Sequence, residues 1–408
     1  MSPDPTAVGD ASAEPPDRPS AVRWLVFGLV CAAYLVATTG EQLLSPVFPS
    51  VKDDLDLTVG QGGIAFALLS GSIAACNVLG GWLLRRMSPV ALIARSCAVG
   101  AVGSLVTALA PGYGVLLVGQ VLLGSSAGLF FPSGLQSVGL AAPAHRRGFA
   151  MGIYGVAFSL GLTMAAVLGT IGSSWGWRTP FWISVALFAA SAVGCAWIRL
   201  PAPTSVAHLD RVPIRTVLSL PTAVGTVLAV CQYGAVPFLT TFAVLEWGVT
   251  PSEAATVLIV GRLLSILAKL IGGASADRIG ARRSARRTGI VLAATGVLWV
   301  TLPGSIAVYG IAAVYAGGVS TLGPVANTLA VERFGQNGMA LGMYRSIQIA
   351  LGALSSAIVG LVADQFGLRV TLAVATAATP LMLLYICREP SGATSSDSSD
   401  SSDSSRLA

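Results

Sequence analysis

Apolar stretches of about twenty residues recur along the chain, each closed by a short break rich in charged, Gly or Pro residues. They fall near 24–48, 61–84, 90–110, 113–140, 148–172, 177–199, 216–244, 252–274, 286–303, 305–331, 338–363 and 369–387, here spans 1 to 12. A helix rising about 1.5 Å per residue needs about 20 apolar residues to cross a hydrocarbon core of about 30 Å. Strands of a membrane barrel would alternate in polarity over about ten residues. The pattern therefore predicts an all-α integral membrane protein with twelve transmembrane helices. The first run is too long for the apolar core of a signal peptide and has no small-residue cleavage site, so it is expected to be retained.

Composition removes the soluble alternatives. Of 408 residues, 54% are apolar and 10% charged, with mean hydropathy +0.77. A soluble domain carries about 25% charged residues to wet its surface. The net charge of +6 needs no nucleic-acid partner, because its distribution explains it. Arg85, Arg86, Arg146, Arg147, Arg199, Arg211, Arg215, Arg278, Arg282, Arg283, Arg286, Arg287 and Arg333 all fall on one side of the predicted spans, against Lys52, Arg178 and Arg369 on the other. The positive-inside rule then places both termini in the cytoplasm of a multi-pass protein of the plasma membrane. The six cysteines lack C-x-x-C spacing, and His145 and His208 lie between spans, so no disulfide framework or metal site is predicted.

The spans divide six and six. Residues 1–20 read as a disordered tail, 21–199 as a first six-helix bundle and 200–215 as a linker with Pro201, Pro203 and Pro213. Residues 216–388 form a second bundle, and 389–408, with its repeated Ser-Ser-Asp, a disordered tail. The halves echo each other. Gly148-Phe-Ala-Met-Gly152-Ile-Tyr154 opens span 5 as Gly338-Met-Ala-Leu-Gly342-Met-Tyr344 opens span 11, and Gly169…Trp177-Arg178 returns as Gly360…Leu368-Arg369. Six-helix parallel repeats with a site between them near the midplane form one transporter architecture.

After span 8 comes Gly273-Ala-Ser-Ala-Asp277-Arg278-Ile-Gly280-Ala-Arg282-Arg283. This segment matches the loop motif G-x-x-x-D-R-x-G-x-[RK]-[RK], and along all twelve spans the chain resembles the major facilitator superfamily, most closely its bacterial drug and metabolite efflux members. The resemblance implies two pseudo-symmetric six-helix bundles, a monomer, a small-molecule substrate and a conformational latch at Gly273, Asp277, Arg278, Gly280, Arg282 and Arg283. A purely topological role for these arginines stands beside the latch. The first-half copy departs from the motif, with Arg85 where the acid belongs and Ser88 for the second glycine. Antiporter signatures are eroded too, with Gln120 for the arginine of span 4 and Ala165-Ala166 for a Gly-Pro pair in span 5.

A charge within the hydrocarbon costs from about 2.5 to above 10 kcal/mol and needs a reason. Four such residues stand out: Glu41 in span 1, Arg262 and Lys269 in span 8, and Arg345 in span 11. Glu41, eight residues before Pro49, resembles the acid in the first span of drug and sugar efflux members and is the candidate proton carrier; the alternative is an ion pair with Arg262 or Lys269. Arg262 and Lys269 lie two turns apart on one face as candidate substrate ligands, with Lys269 alternatively snorkelling to the inner interface. Arg345 reads as snorkelled. Uncharged candidates for the cavity are Asn77, Gln120, Gln136, Tyr154, Gln232, Tyr233, Asn327, Tyr344 and Gln348. No P-loop or nucleophile elbow occurs, so neither enzymatic turnover nor a cofactor is expected. The sequence favours a secondary active transporter that exports a drug-like compound or metabolite in exchange for protons, with proton-coupled anion transport as the alternative.

Overall fold

The computed structural model describes residues 20–84, 86–141, 147–197, 213–334 and 338–388. Both tails, most of the linker, Arg85 and Arg146 lie outside these residues, as do the expectations placed on them. Twelve long helical units, with a one-turn helix Ile214–Val217 before the seventh, follow in order among the described residues, and no strand occurs there. Eleven are long and apolar enough to cross a membrane. The remaining one, Ala281–Thr301, falls short because Arg282, Arg283, Arg286 and Arg287 occupy its first two turns. Gly280, at φ +83°, turns the chain between spans 8 and 9 with no residue to spare.

Helix packing reproduces the six-and-six division. Spans 1·4, 1·5, 1·6, 2·4, 3·4 and 3·6 pack in the first half. Each pair recurs in the second half with both numbers raised by six: 7·10, 7·11, 7·12, 8·10, 9·10 and 9·12. Four pairs cross between halves, 2·11, 5·8, 1·7 and 1·8, and the first two are exchanged by the same shift. The fold is thus two pseudo-symmetric six-helix bundles.

Spans 1 and 7 deviate from straight helices for one shared reason. Span 1 is Ser20–Gln42 and Leu44–Asp54, broken at Leu43 and ending later than its apolar run suggests. Pro49 lacks an N–H, so the carbonyl of Ser45 loses its helical donor. The Thr240 hydroxyl of span 7 donates to it at 2.8 Å, and the Ser45 hydroxyl donates to the Pro237 carbonyl at 3.0 Å. Span 7 runs Leu220–Ala229, a wide turn Val230–Ala235, a tight turn Val236–Phe238 and Leu239–Trp247. Pro237 in turn frees the carbonyl of Tyr233, which accepts from Ser356 of span 11. Prolines here convert backbone groups within helices into ties between helices.

A second repeated device closes the end opposite the arginines. Arg178, at the start of span 6, pairs with Asp54 at the end of span 1 at 2.8 Å, and Trp177 Nε1 donates to the same carboxylate at 3.0 Å. Arg369, at the start of span 12, pairs with Glu246 at the end of span 7 at 2.9 Å. The repeated Arg noticed in the sequence is half of this clasp. Nearby, Trp299 is fully buried against Phe242, with ring centroids 5.0 Å apart, and against Trp247 and Tyr315. Trp299→Ala should therefore cost about 3–5 kcal/mol, read as a clear fall in the thermal midpoint of the detergent-solubilised protein.

Candidate functional site

Between the halves, near mid-span, lies a partly open cavity, and the free space in and around it, open solvent included, is about 420 Å³. Tyr34 and Glu41 of span 1, Asn77 of span 2, Phe131 of span 4, Tyr233 of span 7 and Arg345 of span 11 are among its lining residues. Both bundles contribute, as a site served from alternate sides requires. The wide turn of span 7 carries Tyr233 to this wall.

Glu41 makes no ion pair among the described residues. Its carboxylate accepts instead from Gln42 Nε2 at 3.1 Å, while Gln42 Oε1 accepts from Arg262 Nη2 at 2.9 Å. The structural ion pair considered for Glu41 is replaced by an amide bridge. Arg262 is 1% exposed, and its Nε and Nη1 have no hydrogen-bond partner among the described residues. Lys269 does not snorkel. Its ammonium reaches across to span 5, donating to Ser159 Oγ at 2.7 Å and lying 4.8 Å from the centre of the Phe158 ring. Arg345 turns inward as well, 5.8 Å from the Phe131 ring centre and 3.4 Å from Gln348 Oε1, so the snorkelled reading does not hold for it.

The uncharged candidates divide. Asn77 and Tyr233 line the cavity, and Asn77 Oδ1 is buried without a partner among the described residues. Gln348 is buried behind Arg345. Tyr154 stacks on Tyr34 at 4.1 Å and so supports the wall from behind. Gln120 is wholly buried in the first half, with both amide atoms unpartnered among the described residues, and is not among the lining residues. Tyr344 packs with Val217, Ala330 and Phe334 in a small separate cluster. Gln232 is half-buried beside Tyr233, Asn327 is exposed on span 10, and neither lines the cavity.

At the arginine-rich end, Asp277, Arg278, Arg282 and Arg283 are exposed, and Gly273 has only Pro324, at 4.0 Å, within reach of an added Cβ. Tyr34 and Gln42 are site residues that sequence reasoning passed over. Tyr34 sits in an apolar run, and Gln42 was overshadowed by the charge beside it.

The profile of the Major Facilitator Superfamily matches residues 30–348 and 222–405. The chain belongs to this superfamily of membrane transporters, which are not enzymes. Among curated proteins it is 28% identical over 180 residues to "Probable sulfoacetate transporter SauU" of Cupriavidus necator, covering 44% of this chain and 40% of that one. It is 28% identical over 190 residues to "Efflux pump apf11" of Gibberella fujikuroi, covering 46% and 33%. Each match thus spans less than half the relative's length. Among solved structures, a bacterial homologue of the human lysosomal transporter Spinster, inward-facing and unoccupied, superposes with TM-score 0.72 at 16% identity, covering 91% of this chain and 95% of that chain. The nucleoside transporter NupG superposes at 0.74 and 11% identity, covering 89% and 99%.

Proposed function

We propose that the protein is a secondary active transporter of a small organic anion, carrying it by alternating access together with a proton held at Glu41. The observation that carries this reading is the charge balance around the space between the halves. Among the described residues, Arg262, Lys269 and Arg345 approach it from the second half and Glu41 alone from the first. Desolvated cations in such surplus are costly, and an anionic substrate offsets them. The Nε and Nη1 of Arg262, without a partner among the described residues, are N–H donors suited to the oxygens of a carboxylate or sulfonate. The name of the relative described as a sulfoacetate transporter is consistent with this chemistry.

Among the described residues, the hydrogen bonds that join the halves lie from mid-span to the end opposite the arginines. With the arginine-rich face in the cytoplasm, this is the conformation closed to the outside. A monovalent anion moving with one proton transfers no net charge, so the membrane potential, worth about 2.3 kcal/mol per charge per 100 mV, does not oppose it. Export of a drug-like compound is the second reading. The aromatic wall of Tyr34, Phe130, Phe131, Phe158 and Tyr233 favours it, as do the names of efflux relatives.

Liposomes holding the purified protein and a trapped pH dye test both. Small carboxylates and sulfonates should elicit proton co-movement, and Glu41→Gln should reduce that signal to the level of empty liposomes. Proton counter-flow driven only by lipophilic cations would replace the anion reading with the efflux one.

A further inference from the structure

We infer that Gln42 is the positioning residue that converts the protonation state of Glu41 into the strength of the contact between the two halves. Its neighbours force the direction of its amide. A guanidinium only donates hydrogen bonds and an ionised carboxylate only accepts them. The atom facing Arg262 is therefore the oxygen, and the one facing Glu41 is the NH₂, as the 2.9 Å and 3.1 Å contacts have it. An amide of this length is the neutral group that bridges a cation and an anion in that order. An alkyl chain does neither, and a carboxylate in its place accepts without donating.

Position gives the bridge its leverage. Gln42 is the last residue of Ser20–Gln42, and Leu43 marks the break in span 1. The segment after the break is tied to span 7 through Ser45, Pro237 and Thr240. The segment before it carries Glu41 into the cavity wall. Arg262 belongs to span 8, so the bond from Arg262 to Gln42 crosses between halves at this hinge. Gln42 is 8% exposed, so water does not readily replace either bond.

The charge logic has a definite sign. With Glu41 ionised, the bond from Gln42 is charge-assisted, and the amide oxygen is held toward Arg262. A proton on Glu41 removes that assistance, which accounts for about half the strength of such a bond. The amide is then released, and Arg262 loses its oriented acceptor. Closure at this end should weaken as pH falls. The charged and titratable groups around the pair are Arg262 from span 8, Arg345 from span 11, Tyr233 from span 7 and Tyr34 on the same helix, with Lys269 beyond Arg262. Of the two charged side chains bonded to Gln42, a guanidinium does not lose its proton in proteins, which leaves Glu41 as the one that switches.

This inference rests on Glu41 as the proton site, and one experiment separates the two claims. Spin labels at Trp175→Cys and Ile306→Cys, on a background without the six native cysteines, sit on exposed positions of opposite halves at the closing end. Their distance distribution in liposomes, with no added substrate, reports the closed fraction from pH 5.5 to 8.5. The parent protein should lose closure on acidification by about tenfold in the closed-to-open ratio, the effect of one weakened buried hydrogen bond. Glu41→Gln should abolish the response. Gln42→Leu should abolish it with the open population raised, whereas Gln42→Glu should raise the closed population, since its carboxylate pairs directly with Arg262. Opposite shifts at one position are not produced by misfolding. A full pH response in Gln42→Leu overturns the role of Gln42 and leaves Glu41 standing. A full response in Glu41→Gln, or none in the parent, overturns the proton-site reading and the bridge with it.

Discussion

Valine in place of Gly63 should leave the protein folded in the membrane and unable to close the end opposite its arginines, with transport reduced by more than tenfold. A Cβ at residue 63 would stand 2.5 Å from the Ser356 carbonyl oxygen and 2.9 Å from Gly360 Cα. The obstruction is mutual, for a Cβ on Gly360 would meet Gly63 Cα at 2.8 Å and the Val59 carbonyl at 2.9 Å. These are backbone atoms, which no rotamer change can move aside. They also belong to the other half of the molecule, so the strain is relieved by separating spans 2 and 11 and not by unfolding either helix. Valine is a better helix former than glycine by a few tenths of a kcal/mol, so neither span loses helical stability. Unchanged thermal stability with a longer distance between labels at residues 175 and 306 is the expected signature. Gly155→Ala is the control, because nothing lies within 4 Å of a Cβ there. Transport at the parent rate by Gly63→Val would show that this contact is dispensable.

The same seam shows where pseudo-symmetry stops. One turn beyond Gly360, Asp364 accepts from Thr58 Oγ1 at 2.7 Å and from the Gly60 N–H at 2.9 Å. A carboxylate of the second half thereby caps a helix of the first, where the helix dipole adds about 0.3–1 kcal/mol. At the same end of the equivalent junction, between spans 5 and 8, no capping bond between halves occurs among the described residues. Span 8 is capped by its own Thr250 and Glu253, and Ser173, at the position matching Asp364, donates to Thr170 of its own helix. Contact there is looser too, since a Cβ on Gly169 would sit 3.6 Å from Ala255. Of the two pseudo-equivalent junctions, the one between spans 2 and 11 is therefore the tighter at this end.

Hydropathy made the spans legible because lipid imposes one length and one polarity on every helix, and the arginine run after span 8 carried the family resemblance. The repeated Trp177-Arg178 and Leu368-Arg369 revealed the repeat, yet their partners Asp54 and Glu246 follow no shared motif. The breaks in spans 1 and 7 were visible as Pro49 and Pro237, whereas the destinations of the freed carbonyls depend on which helix lies alongside. The site was half legible. Charges in apolar runs drew attention to Glu41, Arg262 and Lys269, but rotation about the helix axis decides whether an arginine snorkels, and Arg345 turns inward. Gln42 was missed because a neutral amide gives no warning in a sequence. Its importance comes from the two charges that packing brings to its ends.

Arg262→Leu should abolish anion transport while leaving the thermal midpoint unchanged or raising it. The guanidinium is buried to 1% exposure with, among the described residues, one hydrogen bond in place and two nitrogens unpartnered. Desolvating such a group costs several kcal/mol, and one bond to a neutral amide does not recover it. Leucine removes that cost and leaves one unsatisfied acceptor, Gln42 Oε1, worth about 1–3 kcal/mol against it. A residue kept for the fold alone would show the opposite sign, with stability falling alongside activity. For transport, each lost charge-assisted hydrogen bond to an anion is worth about 1.5–3 kcal/mol, or about 10- to 150-fold in apparent affinity. Arg262→Lys should lie between the two, because it restores the charge without the planar fork that grips two oxygens. Flux of small carboxylates and sulfonates, measured beside thermal unfolding of the same variants, checks each part. If Arg262→Leu unfolds readily and still moves anions at the parent rate, Arg262 serves the packing of span 8, and the anion site must be sought at Arg345 and Lys269.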